Sequence, residues 1–310
     1  MSMLSDFLWA ILKRYLPKRE PLSDQPGAGI TDAFNRFYSR NGELDAIRKR
    51  EDEIMAAIKA CSARTTTLRF LMNHKLSGYG QVFHPYKRFN SAESGFNQVY
   101  FDSVRSFCRR ANKLGCNVQI EVWDMNYARL GASCALHGRA AFCGLAKQDQ
   151  KDLMLKLVET VKDLAVSFVV TNEEDFAWKI PDVTWNANAV RYLKSITDHP
   201  VGTWQKLACA EADFRVFHGK AWNDFAAGSV CNEEGYSLPG VAGTSWGGGG
   251  HRADGVYVPV TLANCKTYLG QMHEKNVIPI QNVWDDFGTG KFAVNAAEAL
   301  KWAHEQGWWL

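Results

Sequence analysis

The fold is indicated most directly by residues 165–175, AVSFVVTNEED, where an apolar run changes abruptly into an acidic one. A short apolar run bounded by polar residues is typical of a strand that is buried on both faces. Thr171 and Asn172 end this run, and Glu173, Glu174 and Asp175 follow directly. Carboxylates at the end of a buried parallel strand destabilise the fold unless they face a cleft, and barrels of parallel strands carry their functional residues at such strand ends. This stretch therefore predicts a strand that ends at a functional site.

Strand and helix patterns alternate around this stretch, from residue 42 to the end of the chain. Helices are predicted over residues 42–61, 97–114, 149–164, 188–197, 262–274 and 292–306, and strands over 65–73, 117–124, 203–210, 215–218, 229–232 and 277–283. Such alternation favours parallel strands joined by right-handed crossovers. It fits an α/β fold of the (β/α)₈ TIM-barrel type in a single domain, with a doubly wound open sheet as the alternative. Against the open sheet, no G-x-G-x-x-G motif follows an early strand.

The first 29 residues differ from the rest of the chain. Residues 1–29 are predicted to form a short N-terminal amphipathic helix and a linker, and residues 30–310 to form the barrel. The apolar run of residues 7–12 is too short for the core of a signal peptide, and positive charges follow it rather than precede it. We therefore expect no cleavable signal peptide and a cytoplasmic or virion-associated protein. We favour a helix that packs on the barrel over a helix that lies on a membrane surface.

The composition argues against several classes of function. The net charge is +3 and no Lys/Arg cluster is interleaved with aromatic residues, so no nucleic-acid partner is expected. The eight cysteines form no CxxC pair and the eight histidines are dispersed, so we expect no metal site and no cofactor. Buried free thiols are expected, with disulfides as the alternative because the number of cysteines is even. The 11 tryptophans exceed the usual number, and a few of them are expected to line a cleft where flat rings stack on sugars.

A second acidic strand end, residues 229–235, SVCNEEG, matches the first, because an apolar run again ends in Asn-Glu. Glycoside hydrolysis requires one carboxyl group that protonates the leaving oxygen and a second one that attacks the sugar or activates water. Glu173 and Glu233 are therefore the candidate pair.

Residues from about 43 to 235 resemble the large clan of glycoside hydrolases that are built on a (β/α)₈ barrel, a superfamily that includes cellulases and mannanases. The resemblance is carried by ACSARTTTLRFLMN (60–73), YFDSVRSFCRRANKLGCNVQIEVWD (100–124), FVVTNE (168–173) and VCNEEG (230–235). It implies that Glu173 is the acid/base at the end of strand four and that Glu233 is the nucleophile at the end of strand seven. It also implies a retaining enzyme that cleaves a β-linked oligo- or polysaccharide by double displacement without a cofactor.

The same resemblance implies substrate-binding roles for residues near other strand ends. Asn172 would bind the 2-hydroxyl group of the sugar, and Arg69 would keep the nucleophile ionised, because a nearby guanidinium lowers the pKa of a carboxyl group. His218 would come from strand six, and Trp284 would provide a stacking platform from strand eight. Trp123, near the end of the strand predicted over residues 117–124, is a further stacking candidate.

Alternatives to the carboxylate pair remain open on the sequence. Glu174 and Glu234 are alternative working carboxylates, because neighbouring residues on a strand point to opposite faces. Glu211 also ends a predicted strand and is an alternative to Glu233. The alternative function is a non-catalytic barrel that binds glycans, for example as an adhesion module or as a structural module of a virion.

The supporting residues also have structural explanations. Arg69 is equally well explained as an ion-pair partner inside the barrel, and His218 as a core histidine. Trp178 and Trp246 join the stacking candidates because they lie at strand ends or in loops. The closing tryptophans are expected to pack against the last helix: Trp302, Trp308 and Trp309.

Substrate specificity is expected to reside in loops. Polar loops are predicted over residues 75–94 and 125–147, and a flexible Gly-rich loop over 247–250. Long loops inside compact domains are usually functional.

Overall fold

The computed structural model describes residues 22–31, 44–71, 85–88, 92–124, 147–172, 183–204, 209–218, 228–233, 235–236, 245–246, 249–252, 254–282 and 294–309. The predicted amphipathic helix within residues 1–21 lies outside these ranges. Within them, none of the helices combines the length and the apolar character needed to cross a membrane.

Eight parallel strands of this part of the chain form a closed barrel. They are β1 (Gly29–Thr31), β2 (Thr65–Leu71), β3 (Asn117–Asp124), β4 (Val166–Asn172), β5 (Val201–Trp204), β6 (Phe214–His218), β7 (Val230–Glu233) and β12 (Ile278–Asn282). Their order around the barrel is β1-β12-β7-β6-β5-β4-β3-β2, and β1 closes the ring by pairing with both β12 and β2. A separate antiparallel sheet follows β7 and contains β8 (Gly235–Tyr236), β9 (Ser245–Trp246), β10 (Gly249–His251) and β11 (Tyr257–Pro259).

Helices follow six of the barrel strands in the described ranges. They are α1 (Leu44–Cys61) after β1, α2 (Gln98–Lys113) after β2, α3 (Lys147–Val161) after β3, α4 (Val183–Ile196) after β4, α5 (Leu262–Glu274) after β7 and the small sheet, and α6 (Val294–Glu305) after β12. The predicted α/β architecture with parallel strands is therefore confirmed. The strand predicted over residues 203–210 is wrong at its end, because β5 ends at Trp204 and residues 209–213 form the turn that enters β6.

A small apolar cluster fills the barrel interior. It joins residues of β4, β6, β7 and β12: Val169, Phe214, Val216, Val230 and Ile280. Side chains from opposite sides of a closed sheet can meet only in the barrel interior. The residues of this cluster therefore show which of the two alternating sets of positions on each strand faces inward. Gly202 of β5 is in register with Phe214, and a Cβ at this position would lie 2.4 Å from Phe214 Cε2. Glycine is needed here because the phenylalanine ring occupies the space of a side chain.

A larger core lies between the sheet and the helices. Its fully buried side chains include Phe70, Phe107, Ile120, Leu157 and Phe168. Trp308 packs against the last helix, as predicted, by contacting the ring of Trp302, which lies on α6. Their rings meet edge-to-face at 5.1 Å, and Trp308 stacks on His273 of α5 at 4.4 Å.

Local sequence signals explain two helix ends. The Thr261 hydroxyl accepts a hydrogen bond of 3.1 Å from the Asn264 amide, and the Asn264 side chain accepts one of 3.2 Å from the Thr261 amide. This capping box begins α5 at Leu262. Gly115, with a φ of 82°, follows α2 in the left-handed region that favours glycine, and it explains why the helix predicted over residues 97–114 ends here.

Residues 22–28 cross the amino-terminal end of the barrel before β1, and this segment is named the base strap. Asn117 Nδ2 donates a hydrogen bond of 2.8 Å to the carbonyl oxygen of Asp24. His199 Nδ1 lies 2.9 Å from Asp24 Oδ2, and the Thr65 hydroxyl accepts a hydrogen bond of 2.7 Å from a backbone N–H of the strap. These contacts hold the three-residue strand β1 against its neighbours.

Candidate active site

The carboxyl ends of the barrel strands form one rim, because all eight strands run parallel. β4 ends at Asn172, which is in register with Asp124 of β3. β7 ends at Glu233, and His218 at the end of β6 is in register with Asn232 of β7. The topology therefore brings the ends of β4, β6 and β7 to the same end of the barrel.

The sequence candidates divide into two groups in the structure. Five of them lie outside the described residues: Glu173, Glu174, Trp178, Glu234 and Trp284. For four others the structure gives the position along a strand: Arg69, Asn172, His218 and Glu233. The predicted catalytic pair stays a prediction, and the placement of β4 and β7 is the structural observation that bears on it.

Strand alternation distinguishes the two glutamates that follow Asn232. Val230 is buried in the barrel interior, and alternate residues of a strand share a face, so Asn232 lies in the inward phase of β7. Position 233 lies in the opposite phase, and position 234 lies outside the described residues. The choice between Glu233 and Glu234 therefore remains open, and both glutamates enter the experiments below.

Trp123 lies directly beneath the rim, near the end of β3. It is fully buried and in register with Thr171 of β4, which is also buried. Its ring packs edge-to-face against Trp185 of α4, with 6.1 Å between the ring centroids. Trp185 Nε1 in turn donates a hydrogen bond of 2.9 Å to Gln150 Oε1 of α3. This is the position of a core residue that supports the rim, and a sugar-stacking role for Trp123 stays a prediction.

A buried carboxylate lies one row below Trp123 in the barrel. Glu121 is 1% exposed and is in register with Arg69 of β2 on one side and with Val169 of β4 on the other. A carboxylate at this depth is stable only with a partner of opposite charge or with hydrogen bonds. The register places Arg69 beside Glu121, as an ion pair inside the barrel requires. This placement supports the structural explanation of Arg69 alongside the substrate-site one.

Glu211 does not lie on the rim, so the prediction that it ends a strand and could replace the nucleophile is wrong. It lies in the turn before β6, where the Asp213 amide donates to the Val201 carbonyl at the start of β5. This turn is at the amino-terminal end of the barrel. The Glu211 carboxylate accepts hydrogen bonds from Cys209 Sγ (2.9 Å) and Arg191 Nε (2.8 Å), and these lower its pKa to about 2. Glu211 is thus a surface ion-pair residue.

The described ranges contain no group of three or more His, Cys, Asp and Glu side chains that could hold a metal ion. Five cysteines in these ranges are buried free thiols: Cys61, Cys108, Cys116, Cys209 and Cys265. The prediction of buried thiols is confirmed for these five. Burial raises the pKa of Cys61 to about 11, which keeps it protonated and unreactive at neutral pH.

Comparison with known proteins gives matches in structure only. No protein-family model matches this sequence, and no curated protein does. A candidate glycoside hydrolase from Bacteroides vulgatus aligns with a TM-score of 0.59 and 10% identity over 93% of this chain, which spans 57% of that structure. The endo-1,4-β-D-mannanase of Thermotoga petrophila aligns with a TM-score of 0.56 and 11% identity, over 91% of this chain and 99% of that one. A broad-specificity endoglucanase from Clostridium longisporum aligns with a TM-score of 0.52 and 11% identity, over 91% and 97%.

The chain shares the barrel fold of these glycoside hydrolases. The resemblance seen in residues 43–235 is therefore confirmed at the level of the fold, and it extends over most of the chain. At 10–11% identity, these alignments show a shared fold and assign no catalytic residue.

The sequence analysis missed the small antiparallel sheet beside the rim. The Gly-rich segment predicted as a flexible loop overlaps β10, which begins at Gly249 and pairs with β9 and β11. The segment GVYVPV, residues 255–260, carries β-branched and aromatic residues in alternation and could have indicated β11. The two-residue strands β8 and β9 are too short to leave a periodic signal.

Proposed function

We propose that this protein is a glycoside hydrolase with a complete (β/α)₈ barrel, and that it cleaves a β-linked oligo- or polysaccharide with retention of the anomeric configuration. The observation that carries the proposal is that β4 and β7, which both run into Asn-Glu, end on the same rim of a parallel barrel. Parallel barrels carry their catalytic residues at this end. The fold shared with an endoglucanase and a mannanase supports the substrate class.

The proposed reaction is a double displacement by two glutamates. Glu173 protonates the glycosidic oxygen while Glu233 attacks the anomeric carbon, so the glycosidic bond breaks and a glycosyl ester forms. Glu173, now ionised, removes a proton from water, whose oxygen attacks the anomeric carbon and releases the Glu233 carboxylate. The two inversions restore the original configuration and both carboxyl groups, and no cofactor takes part.

The surrounding residues bind the sugar and separate the two pKa values. Asn172 binds the 2-hydroxyl group, and Arg69 lowers the pKa of the nucleophile so that it is ionised. The acid/base must stay protonated at the working pH, and a neighbouring carboxylate with partial burial raises its pKa. His218 and Trp284 complete the proposed binding surface, and the buried Trp123 supports it from beneath.

The test compares carboxylates at the two ends of the barrel. Glu173→Gln and Glu233→Gln should each lower kcat on β-1,4-linked mannan or glucan by about 10³-fold, because each removes a group that takes part in bond breaking. Glu211→Gln is the matched control at the opposite end and should leave kcat unchanged. Reducing ends released per minute are measured for each variant, and circular dichroism spectra verify that the variants are folded.

The same assay decides the open alternatives. If Glu234→Gln abolishes turnover while Glu233→Gln does not, the nucleophile is Glu234. Proton NMR of the first product should show the β anomer, and an α anomer would contradict the retaining mechanism. A wild-type protein that binds glycans and never releases reducing ends would contradict the enzyme and favour the glycan-binding barrel.

A further inference from the structure

A groove on the outside of the barrel separates α3 from two short segments that precede α2. These segments, residues 85–88 and 92–97, pair through an antiparallel bridge between Tyr86 and Phe96, whose rings stack with 5.4 Å between their centroids. The groove has a volume of about 350 Å³. On the α3 side it is lined by Asp149, Asp152, Leu155, Lys156 and Glu159.

The α3 side of this groove combines an apolar residue with unpaired carboxylates. Leu155 is 37% exposed, which is unusual for a large apolar side chain in the described part of the molecule. Asp152 and Glu159 are exposed as well, and neither takes part in an ion pair among the described residues. The positive group of the lining, Lys156, donates a hydrogen bond of 3.3 Å to Gln98 Oε1 at the start of α2. The groove thus carries more negative than positive charge.

The aromatic wall of the groove experiences this negative charge. Tyr86 is buried, and its hydroxyl group donates a hydrogen bond of 3.4 Å to the Asp149 carbonyl oxygen. Burial raises the pKa of Tyr86, and the charges of Asp149 and Asp152 raise it further. A cationic occupant of the groove would therefore be stabilised by these carboxylates.

The arrangement of the carboxylates favours an extended cation over a single ion. The described ranges contain no cluster of acidic side chains that could hold a metal ion. Instead the acidic residues follow one face of α3 at positions 149, 152 and 159, which lie about 15 Å apart from first to last. A peptide helix with one apolar face and several positive charges matches this length and this chemistry.

Residues 1–21, which lie outside the described residues, have this pattern in their sequence. Leu4, Phe7, Ile11 and Arg14 follow one another at intervals of three, four and three, which places them on one face of a helix. The same intervals separate the α3 residues at positions 149, 152, 156 and 159. Further positive charges lie near the end of the segment: Lys13, Lys18 and Arg19.

The segment is long enough to reach the groove. It precedes the base strap, where the Ser23 carbonyl oxygen lies 3.5 Å from Asn117 Nδ2 at the start of β3. α3 ends at this same end of the barrel, because β4 begins there beside β3. As a helix, residues 1–21 would be about 30 Å long, compared with about 22 Å for α3. The segment can therefore extend from the base along α3.

We propose that residues 1–21 bind as an amphipathic helix in this groove of the same molecule, with the apolar face against Leu155 and with Arg14 beside Glu159. Because the segment leads into the base strap, its basic end lies toward the base, where α3 ends after Glu159. Its amino-terminal end then lies near Asp149, and a carboxylate stabilises the positive end of a helix dipole. This inference is independent of the proposed function.

The test measures amide hydrogen exchange in the full chain by mass spectrometry. Bound in the groove, the amides of residues 4–15 exchange slowly. Leu155→Gln removes the exposed apolar side chain and should make their exchange about 5-fold faster, because the segment then buries less apolar surface. Leu114→Gln is the matched control, since Leu114 is also exposed, at 40%, but follows the last residue of α2. It should leave this exchange unchanged.

Charge reversal tests the orientation of the helix. Glu159→Lys and Arg14→Glu should each make exchange of residues 4–15 about 3-fold faster, because each replaces an attractive pair by a repulsive one. The double variant restores the pair with opposite signs and should return exchange to the wild-type rate. Glu298→Lys, at an exposed position of α6, makes the same change in net charge and should have no effect. Circular dichroism verifies that each variant is folded.

Three results would overturn the inference. The first is equal exchange of residues 4–15 in wild type, Leu155→Gln and Glu159→Lys. The second is protection that increases with protein concentration, which would show that the segment binds a second copy. The third is protection that arises only when phosphatidylglycerol vesicles are added, which would show that the segment binds a membrane surface. Release of reducing ends is a separate measurement, so loss of the hydrolase proposal would leave this one standing.

Discussion

The base strap and the rim lie at opposite ends of the same barrel, and their polar groups are arranged in different ways. At the base, Asn117 and Thr65 bond the backbone of the strap at 2.8 and 2.7 Å, and Glu211 is paired with Arg191. At the rim, β4 and β7 run directly into acidic residues, above the buried carboxylate of Glu121. Polar groups that bond the protein itself contribute to stability, whereas polar groups presented at strand ends are available to a substrate. Substitutions at the base should therefore change stability and leave turnover intact.

The largest effect on stability is expected for Trp123→Ala, just beneath the rim. This variant tests whether residues near the rim contribute to stability as well as to turnover. Removing a fully buried indole should lower the free energy of unfolding by about 3–5 kcal/mol, because it leaves a cavity against Trp185. Urea denaturation measures the loss, and Trp123→Phe is the conservative control with a smaller loss. Unchanged stability together with a raised KM would instead identify Trp123 as a sugar platform.

The next effect is expected at Gly202→Ala, inside the barrel. The new methyl group would meet the Phe214 ring at 2.4 Å, so the variant should lose about 1–3 kcal/mol of unfolding free energy through overpacking. Phe214→Leu should recover part of this loss in the double variant, since it removes the ring that causes the clash. If the two substitutions prove additive, the ring does not occupy this space.

Asn117→Ala tests how much the hydrogen bonds to the base strap contribute to stability. The Asn117 side chain donates to the carbonyl oxygens of Asp24 (2.8 Å) and Gln25 (3.0 Å), and each lost bond costs about 1 kcal/mol. We expect a loss of about 2 kcal/mol in thermal or urea unfolding, with kcat unchanged under conditions where the variant is folded. Asn188→Ala, at an exposed position of α4, is the control and should change stability by less than about 0.5 kcal/mol. A fall in kcat for Asn117→Ala would show that the two ends are coupled.

The smallest effect is expected for Glu211→Gln as the pH is lowered. Its pKa is lowered from 4.5 to about 2 by the Cys209 and Arg191 hydrogen bonds, so the ionised form favours the folded state. That contribution is present above pH 4.5 and is lost as the pH falls toward 2. Between pH 5 and pH 2, the Tm of the wild type should fall further than the Tm of the variant. Because the pair is exposed, the difference between the two falls should be below about 3 °C. Glu298→Gln, exposed on α6, serves as control, and identical Tm profiles of wild type and Glu211→Gln would contradict the ion pair.

Elements with strong local signals could be predicted from the sequence, and elements defined by their neighbours could not. β3 and α5 match their predicted bounds, because β3 is a continuous β-prone run and α5 begins with the Thr261 capping box. β1 has three residues and exists through its pairing with β2 and β12, so it leaves little pattern of its own.

The same limit applies to the candidate site. The Asn-Glu dipeptides and their order could be read from the chain, but which end of the barrel a residue occupies depends on where its strand begins. Glu211 follows an apolar run and was expected at a strand end, yet the run breaks after Trp204 and Glu211 lies before the next strand. The phase of position 233 depends on the register with β6 and β12, which a single sequence does not contain.

Both ends of the described chain emerge on the side of the barrel away from the rim. The base strap precedes β1 there, and α6 returns to the same side, where His304 Nδ1 lies 3.0 Å from the Cys61 carbonyl oxygen at the end of α1. A tether at the carboxyl terminus, whether a purification tag or a solid support, would therefore hold the molecule by its base. An immobilised molecule would present the rim outward, toward an insoluble polysaccharide.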